Sequence, residues 1–258
     1  MARGRDIAEV ENVSLAYEVE GGKRLRVIDR LSFGVRDGEF LSIIGPSGCG
    51  KSSLIRMIIG LQEPTSGSIT FKGRRVGSPP GGMSLIFQNI ALIPWKTALE
   101  NVEFSIENRG IGSDEVERKS AEMLKIVGLG GFEGAYPSEL SGGMRQRVGV
   151  ARALVSDPDL LLMDEPFSSL DELTAEQLRG EVKSILKDKR LSLKSVILVS
   201  HNVDEVVEMS DRIIVLSRAP SRIVDTISVG LSYPRDRHSK GVGAITDRIF
   251  RDLHAAEA

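Results

Sequence analysis

Internal disulfide bonds are excluded by this sequence. Cys49 is the single cysteine among 258 residues, so no internal disulfide can form, and a reducing compartment is expected. Long hydrophobic runs are lacking as well, since none approaches the ~20 residues that a membrane-spanning helix needs. The first residues, MARGRDIAEVENV, carry charges but not the apolar core of a signal peptide. The sequence therefore predicts a protein that is not itself a membrane channel, although it can dock on one.

An excess of one charge is also lacking. The chain has 34 basic and 36 acidic residues, for a formal net charge of -2. No basic arm or stripe stands out, so we expect no nucleic acid among its partners. Hydrophobic residues make up 41% and charged residues 27% of the chain, which is typical of a protein with a packed core.

Strand and helix patterns alternate along the chain. Residues 7–44 read as strands, and FLSII at 40–44 is the continuous apolar run of a strand buried on both faces. Alternating strands and helices predict an α/β fold with a mostly parallel sheet. Helical periodicity over about 97–155 predicts an inserted α-helical subdomain, and about 217–258 should hold closing strands and a tail. We expect one domain over residues 1–258.

The segment GPSGCGKSS follows the buried strand and opens a helix. Gly45, Gly50, Lys51 and Ser52 match the phosphate-loop pattern G-x-x-x-x-G-K-[ST]. Glycines let backbone N–H groups turn toward a phosphate, and the helix N-terminus adds partial positive charge. Lys51 would bind the β and γ phosphates, and the Ser52 hydroxyl would bind Mg²⁺. The alternative is a glycine-rich turn with a chance lysine. The predicted nucleotide contacts are Gly45, Pro46, Ser47, Gly48, Cys49, Gly50, Lys51, Ser52 and Ser53, with Cys49 as a filler rather than a catalyst.

The segment LLLMDEP offers the acidic groups that hydrolysis requires. Asp164 ends an apolar strand and is a predicted magnesium ligand, while Glu165 is predicted to polarise the attacking water. Pro166 disfavours a helix at Glu165, so we expect the pair in an extended exit from the strand.

Polar residues end two more buried strands. Gln88 follows MSLIF, and His201 follows SVILVS. Ligands of open α/β sheets bind beyond the carboxyl ends of the strands, so we expect these residues to meet the phosphate loop and the acidic pair. Gln88 would bind Mg²⁺ and sense the γ-phosphate, and His201 would donate a hydrogen bond to it. The alternative for His201 is a residue that caps the following helix.

The segment LSGGMRQRV, residues 140–148, completes a set of motifs. With the phosphate loop, Gln88, LLLMDEP, SSLD at 168–171 and His201 in this order, the chain resembles the ATP-binding subunit of an ABC transporter over nearly its whole length. The resemblance implies a P-loop NTPase core with an N-terminal antiparallel β subdomain. It also implies that the protein hydrolyses ATP with Mg²⁺, and that Lys51, Gln88, Glu165 and His201 are the catalytic residues.

The same resemblance implies a head-to-tail dimer. Ser141, Gly142 and Gly143 precede a helix and would form a second anion site, which closes over ATP held by the other copy. Asp171 would couple the two sites along the dimer seam. Tyr17 would stack on adenine. The alternatives are a flexible capped turn for the 140s segment and a solvent-facing strand residue for Tyr17.

The type of transporter follows from further resemblance. The phrases FQNIALIPWKTALENV and SRAPSRIVDTISVGLSYPRDR resemble importers of nitrate, taurine and alkanesulfonates. The 57 residues after His201 are too few for the regulatory barrel of sugar-importer subunits. We expect a separate permease, an external solute-binding protein as an indirect partner, and a peripheral location on the cytoplasmic face of the plasma (inner) membrane. Ile93, Pro94 and Trp95 are the predicted permease contact, or else Trp95 packs inside the helical subdomain.

Three alternatives stay open at this point. The first is an ATPase of an efflux or lipid transport system. The second is a soluble ABC ATPase that acts on DNA or ribosomes, although only about 90 residues separate the phosphate loop from LSGG and the chain has one set of motifs. The third is a regulator that binds nucleotide without hydrolysis, which the intact Asp164, Glu165 and His201 argue against.

Overall fold

The computed structural model forms two compact units. The described residues are 6–19, 22–168, 170–186, 188 and 190–256. The first unit takes in the described residues of Met1–Pro80 and Lys194–Ala258, and the second unit those of Gly81–Leu193. The helical segment predicted over about 97–155 lies within the second unit.

Strands and helices alternate along most of the chain. The strands are β1 (Asp6–Val19), β2 (Lys23–Arg36), β3 (Phe40–Ile44), β4 (Ser66–Phe71), β5 (Arg74–Arg75), β6 (Met83–Ile86), β7 (Leu160–Asp164), β8 (Ser195–Ser200), β9 (Arg212–Leu216) and β10 (Ile223–Ser228). The helices are α1 (Lys51–Ile58), α2 (Ala98–Glu103), α3 (Ser113–Ile126), α4 (Gly142–Leu154), α5 (Glu172–Leu186), α6 (Val203–Met209) and α7 (Lys240–Ala255). Within the part of the chain that is described, no helix is both long and apolar enough to cross a membrane.

The N-terminal strands form an antiparallel sheet in the order β2-β1-β4-β5. The long pair of β1 and β2 runs from Asp6 opposite Arg36 to Val19 opposite Lys23, and register shifts interrupt it, as between Val10 and Val13. Buried residues such as Val10 alternate with exposed ones along much of β1, as expected for a sheet with one face on the core. The predicted antiparallel N-terminal β subdomain is confirmed.

The other strands of the first unit are mainly parallel. β3 runs parallel to β8 on one side and to β9 on the other, while β10 is antiparallel to β9. Every residue of β8 is buried, and so is every residue of β3 except Phe40, because helices and loops cover both faces of such a sheet. Ile44 pairs with Ser200, so the loops that follow β3 and β8 leave the sheet side by side.

The end of the chain folds back onto this unit as a helix. Ser239 caps α7 by accepting a hydrogen bond from the Val242 N–H. Ile249 of α7 is fully buried and shares a core with Val206 of α6 and Ile213 of β9. Burial of one such isoleucine contributes about 1.5–3 kcal/mol. The tail predicted at the end of the segment 217–258 is therefore a helix docked on this core.

The second unit combines a pair of strands with several helices. β6 and β7 are parallel, with Ile86 opposite Met163. Helices α2, α3 and α4 pack against one another. A capping box fixes the start of α2, where Thr97 accepts from the Glu100 N–H and Glu100 accepts from the Thr97 N–H at 2.7 Å.

Candidate functional site

The phosphate loop is a left-handed glycine turn between β3 and α1. Gly48 has φ of 77° and Gly50 has φ of 98°, a region that only glycine adopts readily. A Cβ at Gly50 would lie 2.8 Å from Val27 Cγ1. Gly50 is also the N-cap of α1, with no side-chain cap. The first N–H groups of α1 therefore have no capping side chain, as an anion-binding helix start requires.

Lys51 lies over this loop. Its Nζ atom donates to the carbonyl oxygens of Gly45 at 2.8 Å and Pro46 at 3.0 Å, and the residue is only 5% exposed. Cys49 is almost fully buried, which fits its interpretation as a packing residue. The loop thus presents backbone N–H groups and one ammonium, the chemistry that binds a polyphosphate.

Tyr17 lies beside the first turn of α1. Its hydroxyl is 3.1 Å from Ser53 Oγ and accepts from Gln62 Nε2 at 3.0 Å. The hydrogen bonds with Ser53 and Gln62 lower the pKa of Tyr17. The residue remains 40% exposed. Its ring is therefore partly accessible beside the phosphate loop, which distinguishes it from a strand tyrosine that only faces solvent.

His201 leaves the sheet next to the phosphate loop. It follows Ser200, which pairs with Ile44, the last residue of β3. The cap of α6 is Asn202, whose Oδ1 atom accepts from the Glu205 N–H at 3.2 Å. The alternative that His201 caps this helix is therefore wrong, and its side chain is exposed.

The second unit joins Gln88 to the acidic pair. Gln88 follows β6, and Asp164 and Glu165 stand at the end of the neighbouring parallel strand β7. Gln88 Nε2 donates to Glu165 Oε2 at 3.3 Å. Asp164 is 5% exposed. The strand ends thus bring an amide and two carboxylates together, as the sequence predicted for this pair of strands.

The backbone at Glu165 differs from the prediction. Glu165 has φ of 47°, in the left-handed region, whereas the following proline led us to expect an extended exit. Pro166 disfavours the right-handed helical region for its neighbour, and Glu165 adopts the left-handed one instead. The Ser168 side chain stabilises this turn by donating to the Glu165 carbonyl at 2.9 Å. A non-glycine residue held there costs about 1–3 kcal/mol and is often found at functional sites.

The LSGG segment opens α4 in the second unit. Ser141 is the N-cap and accepts from the Met144 N–H at 3.2 Å, and the helix begins at Gly142. Asp171 caps α5 in the same way, accepting from the Thr174 N–H at 3.0 Å. This hydrogen bond with Thr174 lowers the pKa of Asp171. Of the SSLD segment, Ser169 lies outside the described residues.

These two helix starts share one cavity. Its volume is about 470 Å³, and its lining includes Ser141, Gly142, Gly143 and Asp171. The resemblance implied that the LSGG segment closes over ATP of the other copy and that Asp171 lies along the dimer seam; the structure has both in the lining of one cavity. The two capped helices therefore present their N-termini toward a common space.

One ion pair in this region was not predicted from the sequence. Arg147 donates to Glu181 Oε1 at 2.7 Å and lies as close to Glu181 Oε2, and Gln177 donates to the same carboxylate at 3.0 Å. This two-point ion pair joins α4 to α5 near the cavity. The basic run RQR after LSGG was the available signal, but a sequence does not show which carboxylate faces it.

Comparison with known proteins gives a consistent result. The profile of the ABC transporter family matches residues 28–168. An uncharacterized ABC transporter ATP-binding protein of Methanocaldococcus jannaschii is 43% identical over 95% of this chain and 93% of its own length. The taurine import ATP-binding protein of Rhizobium johnstonii is 40% identical over 84% of this chain and 81% of its own. The aliphatic sulfonates import ATP-binding protein of Bacillus subtilis is 38% identical over 93% and 91%.

Solved structures show the same fold. The dimeric structure of an ATP-binding cassette in a post-hydrolysis state, bound to ADP and phosphate, has a TM-score of 0.73 and 30% identity to this chain. The match covers 86% of this chain and 98% of that one. A second dimeric cassette structure has a TM-score of 0.71 and 29% identity. The predicted P-loop NTPase fold is confirmed.

Proposed function

The chain belongs to the ABC transporter family, and on this premise we propose that it is the ATP-hydrolysing motor subunit of an importer. The solute is a small anion such as taurine, an alkanesulfonate or nitrate. Support comes from relatives at 38–40% identity that are named as import ATP-binding proteins for taurine and aliphatic sulfonates. Those names also favour import over efflux, lipid transport or action on DNA.

In this proposal the phosphate loop binds the triphosphate of ATP. The N–H groups of the loop and of the start of α1 bind phosphate oxygens, and Lys51 exchanges its two carbonyl partners for the β and γ phosphates. A phosphate anion attracts the ammonium by its own charge, which a neutral carbonyl lacks, and this difference favours the exchange. The exposed Tyr17 ring, held by Ser53 and Gln62, stacks on the adenine.

Hydrolysis is assigned to the strand-end residues. Glu165 orients the attacking water, since its carboxylate accepts a proton or a hydrogen bond from it, and His201 donates to the γ-phosphate. Ser52, Gln88 and Asp164 supply hydroxyl, amide and carboxylate oxygens, the donor set that suits Mg²⁺. When bound there, Mg²⁺ neutralises charge that develops on the phosphates. The Gln88–Glu165 hydrogen bond makes Gln88 a link between that ligand set and the water-orienting carboxylate.

Besides capping α4, the LSGG segment is assigned the binding of the other copy's ATP in a head-to-tail dimer. The starts of α4 and α5 line one open cavity, and a helix start of this kind binds anions. Two solved structures of a similar cassette are dimeric. The phosphate loop of one copy and Ser141 of the other would then grip the same ATP, with Asp171 along the seam.

The permease contact is assigned to the loop before α2. Trp95 is 77% exposed, so packing inside the helical subdomain does not explain it. The loop is nevertheless held firmly, because Asn101 is fully buried and exchanges hydrogen bonds with the backbone of Ile93 at 2.8 and 3.2 Å. Arg152 donates to the carbonyl oxygen of Ala91 at 3.0 Å. A large aromatic side chain on a rigid loop is typical of an interface anchor.

The charge around this loop indicates the chemistry of the partner. Burial and the nearby carboxylates of Glu117 and Glu100 raise the pKa of Glu103 on α2. Lys96 is the cation that opposes this effect. Because like charges accumulate here, a permease segment with basic residues beside its apolar anchor would bind best. Such docking would place the chain on the cytoplasmic face of the membrane.

The observation that carries the function is the placement of catalytic groups on adjacent strand ends, above all the Gln88–Glu165 bond beside the buried Asp164. The proposed import function is tested by measuring solute uptake in cells. Cells that lack this chain should lose uptake of one of the three anions, and Glu165→Gln should fail to restore it. Unchanged uptake of all three, with a changed export of another solute, would favour the efflux alternative.

The shared ATP site has a sharper test. Lys51→Ala and Ser141→Arg should each inactivate the ATPase, because every site of either homodimer then lacks one half. Mixed together, they form heterodimers with one intact site, so activity should return to about a quarter of the wild-type value if the sites act independently. The control is a double variant with both changes on one chain, which should not rescue either single variant. No recovery with intact dimers would contradict a head-to-tail site.

A further inference from the structure

The segment after β10 ends in a clamp on helix α6. Arg235 donates through Nη1 to the carbonyl oxygens of Val207 at 2.6 Å and Ser210 at 2.7 Å, with a longer bond to Glu208 at 3.3 Å. These carbonyls belong to the last turn of α6, where a helix has no backbone donors left. A guanidinium at this end also complements the negative end of the helix dipole.

Tyr233 completes the clamp. Its hydroxyl donates to the Met209 carbonyl at 2.8 Å, and the guanidinium of Arg235 lies 3.9 Å from the centre of its ring. Burial raises the pKa of Tyr233 to about 12, so the hydroxyl stays a donor throughout the neutral range. The Tyr-Pro-Arg sequence at 233–235, part of the tail that the function left unused, thus binds consecutive carbonyls of one helix end.

The other end of α6 is tied to the residues around His201. Ser200 Oγ accepts from the Asn202 N–H at 3.0 Å, and its hydroxyl also bonds the Glu205 carboxylate. Asn202 in turn caps the Glu205 N–H. His201 therefore stands between two residues that are both bonded to the first turn of α6.

The helix between these two sets of bonds is short. α6 spans Val203–Met209, seven residues, and a helix of two turns is not stable by itself. Its position depends on what holds its ends and on the core that it shares with α7 and with strands β3 and β9. A shift of its last turn would therefore reach its first turn, which is bonded to Ser200 and Asn202 on either side of His201.

We propose that Tyr233 and Arg235 are positioning residues for His201. Their clamp on the last turn of α6 sets the place of the first turn, and so the reach of His201 toward the γ-phosphate. The inference rests on the proposed role of His201 in ATP hydrolysis. It gives the tail after β10 a part in catalysis without any contact with the nucleotide.

The test compares three variants of the full chain. Arg235→Ala should lower kcat about tenfold while KM for ATP changes less than about twofold, because a misplaced hydrogen-bond donor affects the transition state more than ground-state binding. Arg235→Lys should recover part of kcat. Tyr233→Phe, which removes the hydrogen bond to the Met209 carbonyl, should have a smaller effect and serves if Arg235→Ala does not fold. Arg251→Ala, an exposed arginine of α7, is the matched control and should leave kcat unchanged.

A double variant separates positioning from general destabilisation. In a His201→Ala background, Arg235→Ala should lower kcat no further, since the group it places is gone. The His201 ring signal in an NMR spectrum should shift in Arg235→Ala while the His254 signal stays. Additive losses in kcat, or an unmoved His201 signal with a normal kcat, would overturn the clamp. If His201→Ala itself kept full kcat, the proposed role of His201 would fail first, and that result is distinct from a failure of the clamp alone.

Discussion

At the scale of single residues, Glu165 combines its chemistry with an uncommon backbone. The carboxylate accepts a hydrogen bond from Gln88, and the residue has a left-handed φ of 47°. The strain is held by its neighbours, including the Ser168 hydroxyl on its carbonyl. Such strain directs a side chain where a relaxed strand exit would not, which supports Glu165 as the residue that meets the attacking water.

Glu165→Gln should therefore keep ATP binding and lose hydrolysis. The amide preserves the size of the side chain but accepts a proton from water poorly, so we expect the ATPase rate to fall by about two to four orders of magnitude. ATP should now stabilise the dimer, which size-exclusion chromatography with ATP would detect. The control is Glu176→Gln, a change at an exposed glutamate of α5. A normal rate in Glu165→Gln would show that another group orients the water.

At the scale of elements, ion pairs fix how neighbouring segments meet. Asp29 at the bend of β2 accepts from Arg222, which lies just before β10, at 2.9 Å through Nε. The hydrogen bond and charge of Arg222 lower the pKa of Asp29. The backbones of the two segments are also hydrogen-bonded, since the Asp29 N–H donates to the Ser221 carbonyl at 3.0 Å. Strand β2 and the segment before β10 are thus held together by both main-chain and side-chain hydrogen bonds.

This pairing makes stability depend on pH in a defined direction. Because the folded pKa of Asp29 lies below the unfolded value of about 3.9, its contribution is present above that pH and is lost as pH falls through the folded pKa. The difference in unfolding free energy between the wild type and Asp29→Asn, from urea denaturation, should be largest near neutral pH and shrink below pH about 4. A difference that stays constant down to pH about 2.5 would contradict the assigned pair.

Helix starts are the second theme at this scale. Ser141 and Asp171 each cap a helix with their own side chain, and both helices begin at one cavity. The Arg147–Glu181 pair joins these helices. The cap alone would be an ordinary structural role worth about 1 kcal/mol. Because both helix N-termini line the same cavity, they form a candidate anion site for the ATP bound by a second copy of the chain.

At the scale of the whole molecule, the exposed Trp95 is the feature that needs a partner. Trp95→Ala should leave the ATPase of the purified protein unchanged, since the side chain is 77% exposed and is assigned no contact with nucleotide. Transport by cells should fall by at least about tenfold, as expected when an interface anchor is truncated. Phe250→Ala, an exposed aromatic of α7, is the matched control. Equal transport by both variants would remove Trp95 from the permease contact.

The fold was largely predictable because local patterns and global packing agree. Continuous apolar runs became the buried strands β3, β7 and β8, and the glycine loop joins β3 to α1 as expected. Gln88 could be placed beside Glu165, and Gly45 beside His201, with one rule: the carboxyl ends of neighbouring parallel strands lie at the same edge of a sheet. That all four strand ends serve one nucleotide stays a prediction, because each unit holds its own pair.

Motif order and strand periodicity determined the family, the phosphate loop and the acidic pair by themselves, since these depend on neighbours in the chain and on one repeating rule of strand pairing. Only the tertiary structure decided the left-handed turn at Glu165, the Arg147–Glu181 pair and the clamp of Tyr233 and Arg235 on α6. Each joins residues whose side chains choose among many partners of the same charge or polarity. That choice is made by packing and distance, which a linear sequence does not contain.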